Sequence, residues 1–121
     1  MQRFNSEYEK YQNKDLYGID VVTVINKAID NNTQNNIAKD EKGRYINNEE
    51  SSIQIELNLI ASVNEKTGEK KQVTHPMERI MEVGLDGFIS NFNLTIFRVK
   101  EINYHEKTGR ISKITFEQIE E

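Results

Sequence analysis

The clearest pattern in the chain is an alternation of apolar and polar side chains over residues 52–60. Its apolar members are Ile53, Ile55, Leu57 and Leu59. Because successive side chains of a β-strand point to opposite faces of the sheet, this alternation predicts a strand with one buried and one solvated face. Such a strand is typical of an antiparallel sheet that is covered on one side.

A polar segment, Glu-Lys-Thr-Gly, occurs twice, at residues 65–68 and at residues 106–109. In both places it lies between strand-like segments, and its glycine suits a turn position that requires positive φ. We interpret the match as a shared turn solution and not as a duplicated domain. The two segments predict hairpins that pair about 52–63 with 69–74, and about 94–105 with 110–119.

Two N-terminal segments carry apolar residues at helical spacing. Phe4, Tyr8 and Tyr11 share one helical face, and a second apolar stripe runs through residues 18–30. The β-branched run at residues 21–25 also favours a strand, but the polar stop that follows the stripe favours a helix. We therefore expect helices in both segments.

A third helical stripe lies between the two predicted hairpins, over residues 74–92. Its apolar members are Met77, Ile80, Met81, Leu85, Phe88 and Phe92. Pro76 suits the first turn of this helix, where no intrahelical N–H donor is required. Gly84 falls inside the stripe, which predicts a close approach of the helix to the sheet.

The order of elements predicts an α+β fold. An N-terminal helix precedes two β-hairpins that are separated by a helix, and the mostly antiparallel sheet packs on the helices. We expect residues 1–121 to form one small domain, with residues 1–17 an N-terminal helix that projects from it. The alternative is that this helix folds back onto the sheet. Residues 31–51 are predicted to be mainly loop, with a small hairpin around residues 40–43.

Composition narrows the classes of function. The formal net charge is −4, which disfavours nucleic-acid binding because phosphate backbones require a dense positive surface. The chain has no cysteine, so disulfides and thiolate metal sites are excluded. It has no apolar run long enough to span a membrane.

Catalytic chemistry has few candidate residues in this sequence. His75 and His105 are candidate general bases, but a helix cap and an exposed turn residue are the favoured interpretations. Glu78, Glu82 and Asp86 lie at helical spacing and could serve acid–base chemistry or bind a cation, but a solvated helix face is the preferred interpretation. We expect no enzyme activity and no cofactor.

The sharpest metal candidate is the segment 30–41, which aligns with an EF-hand calcium loop. Its ligand positions would be taken by Asp30, Asn32, Gln34 and Glu41. Asn35 occupies the position where the loop requires glycine, and too few of the ligands are charged. An Asn-rich loop that ends a helix is therefore the preferred interpretation, and no metal is expected.

Basic residues of the C-terminal hairpin form a candidate phosphate patch: Arg98, Lys100, Arg110 and Lys113. Cross-strand pairing with Glu101, Glu106 and Glu117 is the default interpretation of these charges.

The stretch Tyr17–Ile29, Tyr-Gly-Ile-Asp-Val-Val-Thr-Val-Ile-Asn-Lys-Ala-Ile, resembles a segment of pilin-like surface proteins of low-GC Gram-positive bacteria, of the TadE type and the pseudopilin-like type. In those proteins a membrane-spanning helix precedes a small extracytoplasmic domain rich in β-structure. This chain lacks the apolar helix and the prepilin cleavage motif. The resemblance implies a surface location with an anchor upstream, and it carries over no catalytic residue.

Three functional hypotheses follow, and the third, an enzyme that uses the acidic helix face, ranks below the other two. The first is a non-catalytic structural or interaction domain, the soluble part of a membrane-anchored pilin-like surface protein. It would bind a protein partner or like subunits, with Phe4, Tyr8 and Tyr11 as the candidate binding residues. The second is a cytoplasmic or phage-derived protein-binding module.

Overall fold

A computed structural model describes residues 2–120 of the chain. Its helices are α1 (Gln2–Glu9), α2 (Gly18–Gln34), α3 (Met77–Val83) and α4 (Leu85–Asn91), and its strands are β1 (Gln54–Val63), β2 (Lys70–Pro76), β3 (Phe97–Tyr104) and β4 (Ile111–Gln118). The α+β class predicted from the sequence is confirmed. The two hairpins lie where the Glu-Lys-Thr-Gly segments predicted them.

The strands form one sheet in the order β2-β1-β4-β3. Each hairpin is antiparallel, whereas the two hairpins meet through a parallel pairing of β1 with β4. The sheet is therefore mostly antiparallel, as predicted. The parallel centre was not predicted, because strand patterns identify hairpins but do not say which strands of two hairpins become neighbours.

Helices cover one face of the sheet. On that face Ile55 and Leu57 of β1 lie beside Ile114 and Phe116 of β4, and all four side chains are buried. The opposing wall of the core is the apolar stripe of α2: Val21, Val24, Ile25 and Ala28. Burying one stripe of a helix on one face of a sheet is the layer arrangement that this domain uses.

Both Glu-Lys-Thr-Gly segments form tight turns with the same backbone geometry. Gly68 and Gly109 each have φ of 74°, and their N–H groups donate to Asn64 O at 2.7 Å and His105 O at 2.8 Å. This left-handed conformation is the one that glycine adopts without steric cost. The shared turn solution inferred from the sequence is confirmed.

The helix predicted over residues 74–92 is two helices, so that prediction is wrong in part. Gly84 has φ of 122° and ends α3, and α4 begins at the next residue. Pro76 belongs to β2 and caps α3 instead of occupying its first turn. The apolar stripe nevertheless continues across the break, since Ile80 and Phe88 are both buried.

The prediction of a projecting N-terminal helix is also wrong. Helix α1 ends at Glu9, far short of residue 17, and Tyr8 is 4% exposed against the core. The Tyr104 hydroxyl donates to the Glu9 carboxylate, which ties α1 to β3. Leu16 is extended and exchanges two backbone hydrogen bonds with Phe97. The apolar side of α1 therefore folds back onto the domain, which was the alternative stated above.

Side-chain amides complete the hydrogen bonding where the strands begin and end. The buried amide of Asn32 accepts from Ile53 N at 2.8 Å and donates to Ile53 O at 2.9 Å. Asn5 likewise donates to Gly109 O and accepts from Ile111 N. We call these two contacts amide bridges, because each pairs backbone groups that no neighbouring strand reaches.

Helix α2 begins in close contact with the end of α4. Gly18 N donates to Phe92 O at 3.1 Å, and a methyl group added at Gly18 would lie 2.8 Å from the same oxygen. Only glycine allows the two backbones to approach so closely at this point.

We predict that Asn32→Leu lowers the free energy of unfolding by roughly 2–6 kcal/mol, because each unpaired buried backbone group of Ile53 costs roughly 1–3 kcal/mol. Urea denaturation monitored by circular dichroism measures the change. The matched control is Asn26→Leu, at an exposed position of the same helix, which should remain within about 0.5 kcal/mol of wild type. Equal denaturation midpoints for the two variants would contradict the role of the amide bridge.

Alanine substitutions at two glycines of the helices should change the stability of the domain in opposite directions. Gly18→Ala should destabilise by roughly 1–3 kcal/mol, since the new methyl group collides with backbone atoms. Gly87→Ala, where no atom lies within 4 Å of the new methyl group, should stabilise by roughly 1 kcal/mol through helix propensity. Thermal unfolding of both variants checks the opposite signs.

Candidate functional site

The predicted binding residues Phe4 and Tyr8 line a groove between α1 and the C-terminal half of α2. The groove has a volume of about 400 Å³ and is open to solvent along its length. Its other principal lining residues are Glu7, Lys27, Asp30, Gln34 and Arg110. We call it the α1–α2 groove.

The floor of the groove holds an arginine stacked on an aromatic ring. The Arg110 guanidinium carbon lies 3.7 Å from the centroid of the Phe4 ring, which is a close cation–π contact. One terminal nitrogen of Arg110 donates to Asn31 Oδ1 at 3.2 Å. Its Nε is buried and has no hydrogen-bond partner among the described residues. The floor is therefore apolar but carries a fixed positive charge.

Tyr8 closes the inner wall of the groove. Burial raises the pKa of its hydroxyl to about 12, with a further rise from the charges of Asp30 and Glu7 that opposes the lowering effect of Arg110. A phenol with so high a pKa stays protonated at neutral pH, so Tyr8 cannot serve as a general base there.

A cluster of charges forms the rim of the groove beside Tyr11. Glu7 accepts from Lys10 at 3.1 Å and from Lys27 at 3.2 Å, and the hydrogen bonds from these lysines lower the pKa of its carboxyl. The Lys27 ammonium lies 5.4 Å from the centroid of the Tyr11 ring. The rim is thus a mixed-charge border around an aromatic floor, which suits contact with another protein surface.

The three predicted binding residues are less exposed than the sequence suggested. Tyr8 is buried, while Phe4 and Tyr11 are half-buried and pack against the core cluster. They do not form an open apolar stripe. The part of this site that sequence reasoning missed is Arg110, since only the fold brings the end of the chain to α1.

The two histidines occupy structural positions. His75 is not a helix cap, because it lies within β2 opposite Leu57. His105 is 4% exposed, and its Nε2 lies 2.7 Å from Ser52 O, so the prediction of an exposed turn residue is wrong. The hydrogen bond instead fixes the second hairpin to the segment that leads into β1.

The carboxylates predicted to stack on one helix are separated by the break at Gly84, which places Asp86 on α4. Glu78 accepts the N–H of Tyr45 at 2.8 Å. Glu78 and Glu82 border a groove of about 540 Å³ that four cations also line: Lys39, Lys42, Arg44 and Arg79. Sequence reasoning missed this basic cluster, because the small hairpin and α3 are distant in the chain.

The segment aligned with a calcium loop has other structural roles. Helix α2 extends to Gln34, and Asn32 forms an amide bridge to Ile53. Asn31 donates to Ser51 O at 2.7 Å. Within residues 2–120 no three His, Asp or Glu side chains are grouped closely enough to hold a metal ion.

The basic residues of the C-terminal hairpin do not form the patch considered above. Arg98 pairs with Asp15 at 2.9 Å, and Lys113 pairs with Glu56 at 3.4 Å on the polar face of the sheet. Arg110 is in the α1–α2 groove. The ion pairs of Arg98 and Lys113 are thus made with other elements and not with the glutamates of their own hairpin.

We predict that Tyr8 couples stability to alkaline pH. Its pKa is about 10 when unfolded and about 12 when folded, so its contribution is fully present below pH 10 and is lost as the pH rises towards 12. Between pH 8 and pH 11 this loss amounts to about 1 kcal/mol. Between these two pH values, the free energy of unfolding of Tyr8→Phe should fall by about 1 kcal/mol less than that of the wild type. Urea titrations at both pH values measure the difference. Tyr17→Phe, which removes the hydroxyl of an exposed ring, is the matched control variant.

No helix among residues 2–120 combines the length and the apolar character that crossing a bilayer requires. Comparisons of the chain with protein-family models, curated proteins and solved structures find no match.

Proposed function

We propose that this chain is a non-catalytic interaction domain that binds a protein partner, or further copies of itself, through the α1–α2 groove. The observation that carries the proposal is the stacking of Arg110 on Phe4 at the floor of an open groove. Aromatic side chains and arginine are the residues that contribute most to binding energy at protein interfaces.

The charges of the groove support a protein ligand over a small anion. Glu7 and Asp30 lie on the same surface as Lys27 and Arg110, so neither sign of charge predominates. A partner surface can match such alternating charges while an apolar side chain rests on Phe4. Since Lys27 is already paired with Glu7, its charge is partly neutralised before any ligand arrives.

The same charges also argue against catalysis at this groove. Its one phenol remains protonated at neutral pH, and His105 is enclosed elsewhere with its ring nitrogen bonded to Ser52 O. Glu78 holds the backbone of Tyr45. Three of the candidate acid–base groups, Tyr8, His105 and Glu78, are therefore protonated, enclosed or bonded to backbone within the fold.

The resemblance of Tyr17–Ile29 to pilin-like proteins extends the proposal to location. The interaction domain is then the extracytoplasmic part of a membrane-anchored surface protein, and its partner is a like subunit or another surface protein. The alternative is a cytoplasmic or phage-derived binding module, in which the same groove binds a soluble partner.

We predict that a tryptophan at Gln34 abolishes partner binding without unfolding the domain. Gln34 is exposed and lines the groove, so Gln34→Trp fills the site from its rim. Thr23→Trp, at an exposed position of the same helix outside the groove, is the matched control. Chemical crosslinking of the tagged gene product in its native host, followed by affinity purification, measures the yield of crosslinked partner.

The expected result is at least a tenfold loss of crosslinked partner with Gln34→Trp and none with Thr23→Trp. Equal yields from both variants would exclude the groove as the binding site. Fractionation of the same cells tests location separately. If the full-length gene product remains entirely in the cytosol, the surface assignment is wrong and the cytoplasmic module replaces it.

A further inference from the structure

Strand β2 forms one edge of the sheet, and within residues 2–120 no strand pairs with its outer side. Residues 70–74 of this strand are exposed. An unpaired edge presents a row of backbone N–H and C=O groups to which an extended segment of another chain can hydrogen bond.

The register of the first hairpin shows which backbone groups point outward. Pro76 has no N–H and lies opposite Glu56, so this pair cannot exchange two backbone hydrogen bonds. Ile60 N donates to the Gln118 side chain on the β4 side, away from its opposite residue, Gln72. Since bonded and non-bonded pairs alternate along an antiparallel ladder, Gln72 and Thr74 direct their N–H and C=O groups to the open edge.

An apolar pocket lies beside this edge, on the face of the sheet that the helices cover. Val73 and His75 project to that face, because they lie opposite Leu59 and Leu57. The pocket, of about 150 Å³, is lined by His75, Arg79, Ile80, Val83, Phe88 and Phe92. Val83 is 74% exposed and Val73 is 39% exposed. A side chain from an added strand would lie against Val73 and reach this pocket.

The charge of the β2 edge indicates which kind of partner segment can bind there. Strand β2 carries Lys70 and Lys71 and no acidic residue, although the whole chain has a net charge of −4. Lys71 projects to the same face as Val73, and Arg79 borders the pocket. A second copy of β2 in parallel register would place its own lysines beside Lys70 and Lys71, which like-charge repulsion opposes, and neither direction of pairing would give these lysines an acidic partner on β2.

We propose that β2 binds, by strand addition, an extended acidic segment of a partner protein that places an apolar side chain at the pocket between β2 and helices α3 and α4. Acidic residues on either side of that apolar side chain face Lys71 and Arg79. This site is on a different surface from the α1–α2 groove, and the proposal does not depend on where the protein resides.

The test is a nuclear magnetic resonance titration of the full 121-residue chain with a synthetic peptide. The peptide is acetyl-Thr-Thr-Glu-Thr-Ile-Thr-Glu-Thr-Thr-amide, which presents Glu, Ile and Glu on one face in either strand direction. Saturable shifts of the Gln72 and Thr74 amide signals are expected. A peptide with lysine in place of both glutamates should bind at least about tenfold more weakly.

Variants of β2 separate strand addition from nonspecific charge attraction. Gln72→Pro removes an outward N–H without touching the ladder to β1, and should weaken binding about tenfold. Lys71→Glu leaves the backbone intact and should reverse the preference between the two peptides. Val83→Ser should weaken binding, whereas Leu94→Ser, at a comparably exposed leucine outside the pocket, should not.

Several results would overturn the proposal. The first two are absence of binding by the glutamate peptide and chemical-shift changes confined to other surfaces. The next is an affinity for the glutamate peptide that is unchanged in Lys71→Glu or in folded Gln72→Pro. The last is self-association of the chain through β2 in place of peptide binding. Because Lys71→Glu changes only an exposed side chain, its result stands even if Gln72→Pro fails to fold.

Discussion

The amide bridge between Asn32 and Ile53 is the contact on which the arrangement of this domain depends. It fixes the end of α2 to the start of β1, and both partners are fully buried. With α2 fixed there, its apolar stripe lies along the sheet. The small hairpin closed by the bridge between Lys39 and Tyr45 is joined to α3 separately, because Tyr45 N donates to Glu78. An apolar residue at position 32 would fill the same space but would leave two backbone groups without partners.

The α1–α2 groove is a consequence of the second amide bridge. Asn5 binds the turn of the second hairpin at Gly109 and Ile111, which brings α1 alongside α2 without filling the space between them. Arg110, the residue between those two contacts, is thereby placed beneath the Phe4 ring. The contacts that stabilise the fold thus also form the floor of the candidate site, and substitutions at Asn5 would alter both.

The sequence predicted the elements of the fold because their signals are local. The alternation over residues 53–59 and the two Glu-Lys-Thr-Gly turns each depend on neighbours in the chain, and the hairpins followed from them. The parallel pairing of β1 with β4 and the position of Arg110 depend on residues far apart in sequence. Gly84 was recognised as unusual, but its φ of 122° had no local signature that distinguished a break from close packing. Of the candidate site, the aromatic residues were predicted, whereas their burial against the core was only the alternative to a projecting helix.

The parallel junction between β1 and β4 also determines the order in which the domain can fold during synthesis. Each hairpin forms from local contacts, on a timescale of about microseconds, whereas the β1–β4 pairing joins segments such as Ile55 and Ile114. Until the ribosome has released residues 111–118, β1 has no partner on its second side. The nascent chain therefore exposes an apolar strand with a free edge from the emergence of β1 until the emergence of β4, and during that interval it is most open to pairing with other chains.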